Sequence, residues 1–376
     1  MSGRSKNFVA ADKSSARVKK LCWHTTFGDS SVAEPQYRRG SRRLRPFVQS
    51  AKVSQRGCSR PLQRVVTDFG ADQAFAQVMD KLVEHYGIML PESTIRRITE
   101  GHAQQILEAA SSVGGAAAWP QQRGSSAVLI AEMDGGMVPI VEPDLAQADR
   151  RKGKKLQWKE AKLCLVHAKG SATPVYGGTL QGDVASAGQK LFDCARQAGF
   201  GRGTEVHAVG DGAPWIADQV EAQFGAQGRY LLDFYHVCDY LAAAAEAMMA
   251  DPAGRKAWMA EQKTRLKTQR SDELLALLQP HLEPSAVADS EAPVRQCHRY
   301  LSQRPEQLDY QSALERDLPI GSGEIESAHR YIAQQRLKRP GAWWRIDNAE
   351  HMLALRINRA NRQWEAYWAG NLQHAA

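Results

Sequence analysis

The chain has 376 residues, 43% of them hydrophobic and 24% charged, with a mean hydropathy of -0.47. That profile leaves room for two or three packed units, and no run approaches the roughly 18 apolar residues a membrane helix needs. The basic stretch Met1 to Lys20 lacks the apolar segment of a secretory signal, and six scattered cysteines form no CxxC pair. Both features argue against a disulfide framework and for a reducing, cytoplasmic compartment.

The net charge of +8 is unevenly spread. Residues 1–64 hold 15 Lys/Arg against 3 Asp/Glu, and residues 329–362 hold 8 against 2, whereas residues 65–328 carry 26 against 35. A basic start and a basic end around a mildly acidic centre point to a polyanionic partner. A solvated basic tail is the plainer alternative for the first run.

In chain order, residues 21–66 read as short, irregular strands with basic loops that include Arg38, Arg39, Arg42 and Arg43. A helical period starts at Asp68. Phe75, Val78, Met79, Leu82, Val83 and Tyr86 share one face, and Gly87 stops the helix. A second helix follows from Thr94, with Ile95, Ile98 and Ile106 inward. Arg96 and Arg97 lie near its N-terminal end, where a recognition helix offers side chains to a major groove. Two core helices joined by a short turn give the same pattern.

Residues 112–127 are rich in Gly, Ala and Ser and read as a linker. Beyond it, residues 127–134 form an apolar strand ending at Asp134-Gly135, with residues 137–143 as its expected hairpin partner. After a basic loop come strands over 161–168 and 173–180, a helix over 183–199, and a strand over 205–212 that ends at Asp211-Gly212. A helix and a strand over 229–234 follow. This alternation predicts a mixed sheet covered by helices. Residues 235–316 are expected to be helical almost throughout.

Two apolar strands that end in Asp-Gly leave carboxylates pointing into open space. On neighbouring strands such carboxylates repel, and either one keeps a proton or a hard divalent cation sits between them. Asp-Gly is also among the common turn dipeptides. A third carboxylate would complete a two-metal site, and Glu324 and Glu326 are both placed in a first helical turn after Gly321-Ser322-Gly323. Spacing alone does not choose between them, and Glu326 with Arg330 also reads as a surface ion pair. Arg336, Lys338, Arg339 and Trp344 form a cationic, aromatic stretch suited to phosphates and unpaired bases, although a tryptophan there also suits a core. The spacing of Cys22-Trp23-His24 and Cys58 fits no zinc finger, and His236 with Cys238 makes only half a site, so zinc is expected at neither place.

The segments VGDGAPWI, LLDFYHVCDYL and GSGEIESAHRYIAQQRLKRPGAWWRIDNAEHMLALR resemble the core of bacterial insertion-sequence transposases of the ISKra group, with Mutator-like elements as wider relatives. The N-terminal WHTTFGDSSV…RPLQRVVTDFGADQAF resembles the same group, so the likeness runs over most of residues 20–365. It implies an RNase H-like α/β mixed sheet with a helical insertion, preceded by a basic N-terminal region and a helix-turn-helix-like module. It implies catalytic, metal-binding Asp134, Asp211 and Glu326, with two Mg²⁺ (or Mn²⁺), and it selects Glu326 over Glu324. Asp233 and His236 match a D-x-x-H signature near the site.

The expected organisation is then a DNA-binding region over 1–66, a helix-turn-helix-like module over 67–112 and a linker over 113–126. The core follows over 127–234, the insertion over 235–316, the catalytic helix over 317–345 and a C-terminal helix over 346–376. The expected partners are double-stranded DNA, as terminal inverted repeats and target, and a second copy of the chain in a homodimer or larger assembly on the nucleoid. A catalytically inactive, transposase-derived DNA-binding protein and an RNase H-like nuclease that cuts without joining are the alternatives.

Overall fold

The computed structural model describes residues 17–39, 42–50, 57–113, 122–144 and 153–373. The expected basic start over 1–16 and the centre of the expected linker, 114–121, lie outside the described residues. Two compact units are present: Met1–Gln105 with Trp364–Ala376, and Ile106–Gln363.

The first unit opens with β1 (Arg17–Thr25) and β2 (Gly28–Arg39), an antiparallel hairpin in register from Thr25↔Gly28 to Arg17↔Gln36. A short β3 (Arg42–Leu44) pairs with the end of β2, and α1 (Pro46–Ser50) follows. β1 and β2 are long regular strands, not the short irregular ones expected, joined by an unbroken antiparallel register. Helical structure also begins earlier than Asp68. In α2 (Arg60–Asp72), Ser59 caps the N-terminus by accepting from Leu62 N–H, Pro61 occupies the first turn, and Leu62 and Val66 are buried.

Helix α3 (Phe75–Tyr86) buries Phe75, Val78 and Leu82 and stops at Gly87, whose φ of 63° is left-handed; Val83, expected inward, is exposed. The helix α4 (Glu92–Val113) buries Ile95, Ile98 and Ile106 as expected. On the same unit His102 is buried between Tyr367 Oη at 2.7 Å and Gln63 Oε1 at 3.0 Å, and burial pulls its imidazole down to about 4.

The second unit is built on a five-stranded sheet, β4 (Val128–Pro143), β5 (Lys154–Ala168), β6 (Val175–Thr179), β7 (Glu205–Gly210) and β8 (Gly228–Leu232), in the order β6-β5-β4-β7-β8. The first three are antiparallel neighbours, while β7 and β8 run parallel to β4. The expected hairpin at Asp134-Gly135 is not formed. β4 is one continuous strand that pairs with β5 from Leu129↔Ala168 to Pro143↔Lys154, so Asp134 lies inside it opposite Leu163. Gly135 serves close approach instead of a turn: a Cβ there would fall 2.2 Å from Glu160 Oε1.

Helices α5 (Val184–Gln197) and α6 (Pro214–Phe224) cover one face, packing Leu191, Ile216 and Phe224 on Leu129, Ala131 and Met133. The alternate residue Ile130 faces the opposite cluster, formed with α7 (Phe234–Met248), α8 (Pro252–Lys267), α9 (Ser271–Leu278), α10 (Pro293–Ser302) and α11 (Tyr310–Glu315). This stretch is helical almost throughout, as its composition predicts, and has its own core around Leu241, Leu274, Leu301 and Tyr310.

After it, α12 (Gly323–Ala328) passes through a π-helical turn, His329–Gln334, into α13 (Gln335–Leu337) and then α14 (Ile346–Ala360). Glu350 of α14 accepts from Thr179 Oγ1 and the backbone N–H groups of Leu180 and Gln181, tying the helix to the end of β6. The C-terminal segment is two helices, not one: the chain turns at Arg362, whose φ is 56°, and α15 (Trp364–Gln373) belongs to the first unit.

Among the described residues, no helix is long and apolar enough to cross a membrane.

Candidate functional site

Side chains alternate along a strand, so Ile130, Glu132 and Asp134 share the β4 face opposite to Leu129, Ala131 and Met133. The parallel register of β4 with β7 ends at Glu132↔Val209. Counted two residues on from that pair, Asp134 of β4 corresponds to Asp211, which directly follows the last residue of β7. The two carboxyl groups are close enough to act on each other. Burial chiefly holds Asp134 above its ordinary range, the Asp211 charge adds to this, and His329, Gly135 N–H and His236 oppose it.

Asp211 is held from two directions. Its Oδ1 accepts from Ala213 N–H at 2.9 Å. The insertion grips the backbone: Tyr300 Oη donates to Asp211 O at 2.6 Å and Arg304 Nη2 donates to Gly212 O at 3.0 Å. Gly212 has φ 86°, and a Cβ there would lie 2.6 Å from Tyr300 Oη, so glycine is required for both conformation and space.

Helix α12 brings the third group. Asp233, 2% exposed, caps α7 by accepting from the N–H groups of Tyr235 at 2.6 Å and His236 at 3.1 Å. Its other oxygen accepts from Ser322 N–H at 2.6 Å and Ser322 Oγ at 2.5 Å. Asp233 is therefore a brace that fixes the chain just before α12, with both oxygens committed. His236 is exposed, and its charge reaches Asp134. Glu326 is exposed on α12, one helical turn before His329. His329 is buried, its Nε2 3.1 Å from Asp134 O and 3.5 Å from Asp134 Oδ2. The ring packs against Gly136, where a Cβ would fall 2.6 Å from Nδ1. A π-helical turn at His329 widens the helix at this contact, a feature common at functional sites. Glu324 points elsewhere, its Oε2 3.4 Å from His167 Nε2 of β5.

Sequence reasoning missed Glu132 and His329. Glu132 is buried, and its Oε2 accepts from Ile325 N–H at 2.7 Å, which pins α12 to β4. Burial above all, with Glu324, Asp233 and Glu326 nearby, pushes its carboxyl up to about 8 against the pull of the Ile325 N–H. The period-two pattern of β4 already placed Glu132 on the Asp134 face; the unbroken strand was the missing information.

The donor chemistry at Asp134 and Asp211, hard carboxylate oxygens, fits a divalent cation. Asp134, Asp211 and Glu326 do not meet at one point. Among the described residues, the set of three potential ligands whose donor atoms all lie within 4.8 Å of one another is Cys22, His24 and Asp29.

The expected DNA-binding residues separate into groups. Arg336 and Trp344 are buried, with the guanidinium stacked 4.7 Å from the indole centroid and Trp344 Nε1 donating to Leu337 O. Both are corrected to core residues, since neither presents a face to a duplex. Lys338 is exposed and approaches the ring of Trp158, while Arg339 donates to Gln335 O. Trp343, which belongs to the same cationic, aromatic stretch, and Trp158 of β5, which was not anticipated, are 41% and 55% exposed and lie 6.2 Å apart. Arg96 pairs with Glu92 and stacks over Phe75, and Arg97 is half-buried near Thr94. The backbone register sets Arg38 opposite Arg43 and Arg39 opposite Arg42; their side chains lie outside what is described.

The model of an uncharacterised protein family, UPF0236, matches residues 201–366, a span that takes in Asp211, Asp233 and Glu326. No curated protein matches the chain.

Proposed function

We propose that the chain is a DDE-type DNA transposase, with an RNase H-like second unit and a helix-turn-helix-like pair in α3 and α4. The observation that carries this reading is the nearness of Asp134 on β4 to Asp211 just beyond the end of β7, with α12, which bears Glu326, tied to β4 by the Ile325 N–H bond to Glu132 and followed by His329 against Asp134. The strand order, an antiparallel meander followed by two parallel strands, supports it.

Asp134, Asp211 and Glu326 would hold two Mg²⁺. Bound there, the cations would supply an activated water and stabilise charge on the attacking and leaving oxygens. The protein's own part is positioning. Ala213 N–H and Tyr300 fix Asp211, the Asp233–Ser322 brace fixes the start of α12, and His329 holds Asp134 from below. The register brings Arg38, Arg39, Arg42 and Arg43 into one short stretch of ribbon, a concentration of positive charge that suits a polyanion. Trp158 and Trp343 with Lys338 form a surface on which unpaired bases would stack.

The test is cleavage and joining of labelled terminal-repeat DNA with Mg²⁺, comparing wild type with Asp134→Ala, Asp211→Ala and Glu326→Ala. The expected result is loss of both reactions in all three variants with DNA binding retained. Binding without cleavage in the wild type removes the enzymatic reading, and cleavage without joining reduces it to a nuclease.

A further inference from the structure

The first unit carries a cluster that the proposed chemistry does not use. Cys22 and His24 are two residues apart on β1 and so lie on one face of the ribbon, and the register sets Asp29 of β2 directly opposite His24. His24 Nδ1 is 2.6 Å from Asp29 Oδ1, while Cys22 Sγ is 4.0 Å from His24 Nδ1 and 3.9 Å from Asp29 Oδ2. Ligand bonds of about 2.0–2.3 Å at tetrahedral angles separate donor atoms by roughly 3.3–3.6 Å, so a zinc ion would part the His24–Asp29 contact and draw the Cys22 thiol in by a few tenths of an ångström.

A fourth candidate, outside that group of three, runs along the other edge of β1. Cys58 forms a parallel bridge with His24, and Ser59 N–H donates to His24 O at 2.7 Å. Bridged residues project to the same face, so the Cys58 thiol is on the side of the other three. It is buried, and the charges of Asp29 and Cys22 both act on it. Spacing along the sequence hid this set, since Asp29 arrives through the hairpin and Cys58 from a segment 29 residues later.

We propose that Cys22, His24, Asp29 and Cys58 form a structural zinc site. One thiolate and one imidazole already disfavour Mg²⁺ and Ca²⁺, and a second thiolate sharpens the preference for zinc. The ion would staple the β1–β2 ribbon to the segment that caps α2. A small unit whose ribbon is largely exposed gains more from such a staple than a large core would. The site is independent of the carboxylates around Asp134.

The full chain, purified and dialysed against metal-free buffer, should retain about one equivalent of zinc. Replacement by Co²⁺ should give a thiolate-to-cobalt charge-transfer band and the intense visible absorption of four-coordinate cobalt. Cys22→Ser and His24→Ala should lose the bound metal, and Cys58→Ser should cut the charge-transfer intensity by about half, as expected for one thiolate in place of two. Cys297→Ser and Asp211→Ala should retain both metal and spectrum. Wild-type protein that retains no zinc, or a cobalt form without the thiolate band, overturns the site without reference to any variant. An unchanged spectrum in Cys58→Ser overturns the four-ligand set.

Discussion

Glu132→Gln tests how the sheet and α12 are joined. The Glu132 carboxyl is buried and accepts from Ile325 N–H, and its surroundings lift it from an ordinary 4.5 to about 8. The folded chain therefore keeps a proton that the unfolded chain releases between these two values. Stability from this group is fully present below about pH 4.5 and is lost as pH rises to about 8. At about 1.36 kcal/mol per pKa unit the full shift corresponds to on the order of 5 kcal/mol, which relaxation and water penetration reduce to about 2–4 kcal/mol. Glutamine keeps an acceptor for Ile325 N–H and carries no charge. In urea unfolding without divalent cations, the variant should match wild type near pH 5 and exceed it by about 2–4 kcal/mol at pH 9. A difference that is the same at both pH values, or that favours wild type at pH 9, would refute the burial argument.

Asp233→Ala removes the acceptor of four hydrogen bonds and should destabilise the chain by about 3–5 kcal/mol, with increased hydrogen exchange at Ser322 and along α12. Retention of wild-type exchange there would mean that Asp233 does not brace the helix. Trp158→Ala and Trp343→Ala should leave unfolding within about 0.5 kcal/mol of wild type, because both rings are exposed. Each should weaken single-stranded DNA binding by about 1–3 kcal/mol in a fluorescence titration, and unchanged affinity in both would exclude stacking at this surface.

The amino-acid sequence determined the inventory of elements wherever a local signal was strong. The helical period and Gly87 defined α3, helical spacing defined α5, and the helical character of residues 235–316 was legible from their composition. It also singled out Asp134 and Asp211 as carboxylates on apolar strands. What it misjudged were features decided by partners far along the chain. Asp134-Gly135 reads as a turn, yet pairing with a fifteen-residue β5 carries the strand straight through it. Arg336 and Trp344 read as a DNA contact, yet they stack on each other in the core.

Only the tertiary structure decided that Glu132 and His329 join the site and that Asp29 and Cys58 come to stand beside Cys22 and His24. Local propensity is written in neighbours three or four residues apart, whereas these groupings depend on strand register and on segments separated by up to 195 residues. Register is fixed by the whole ladder of paired strands, and no short stretch of sequence carries it.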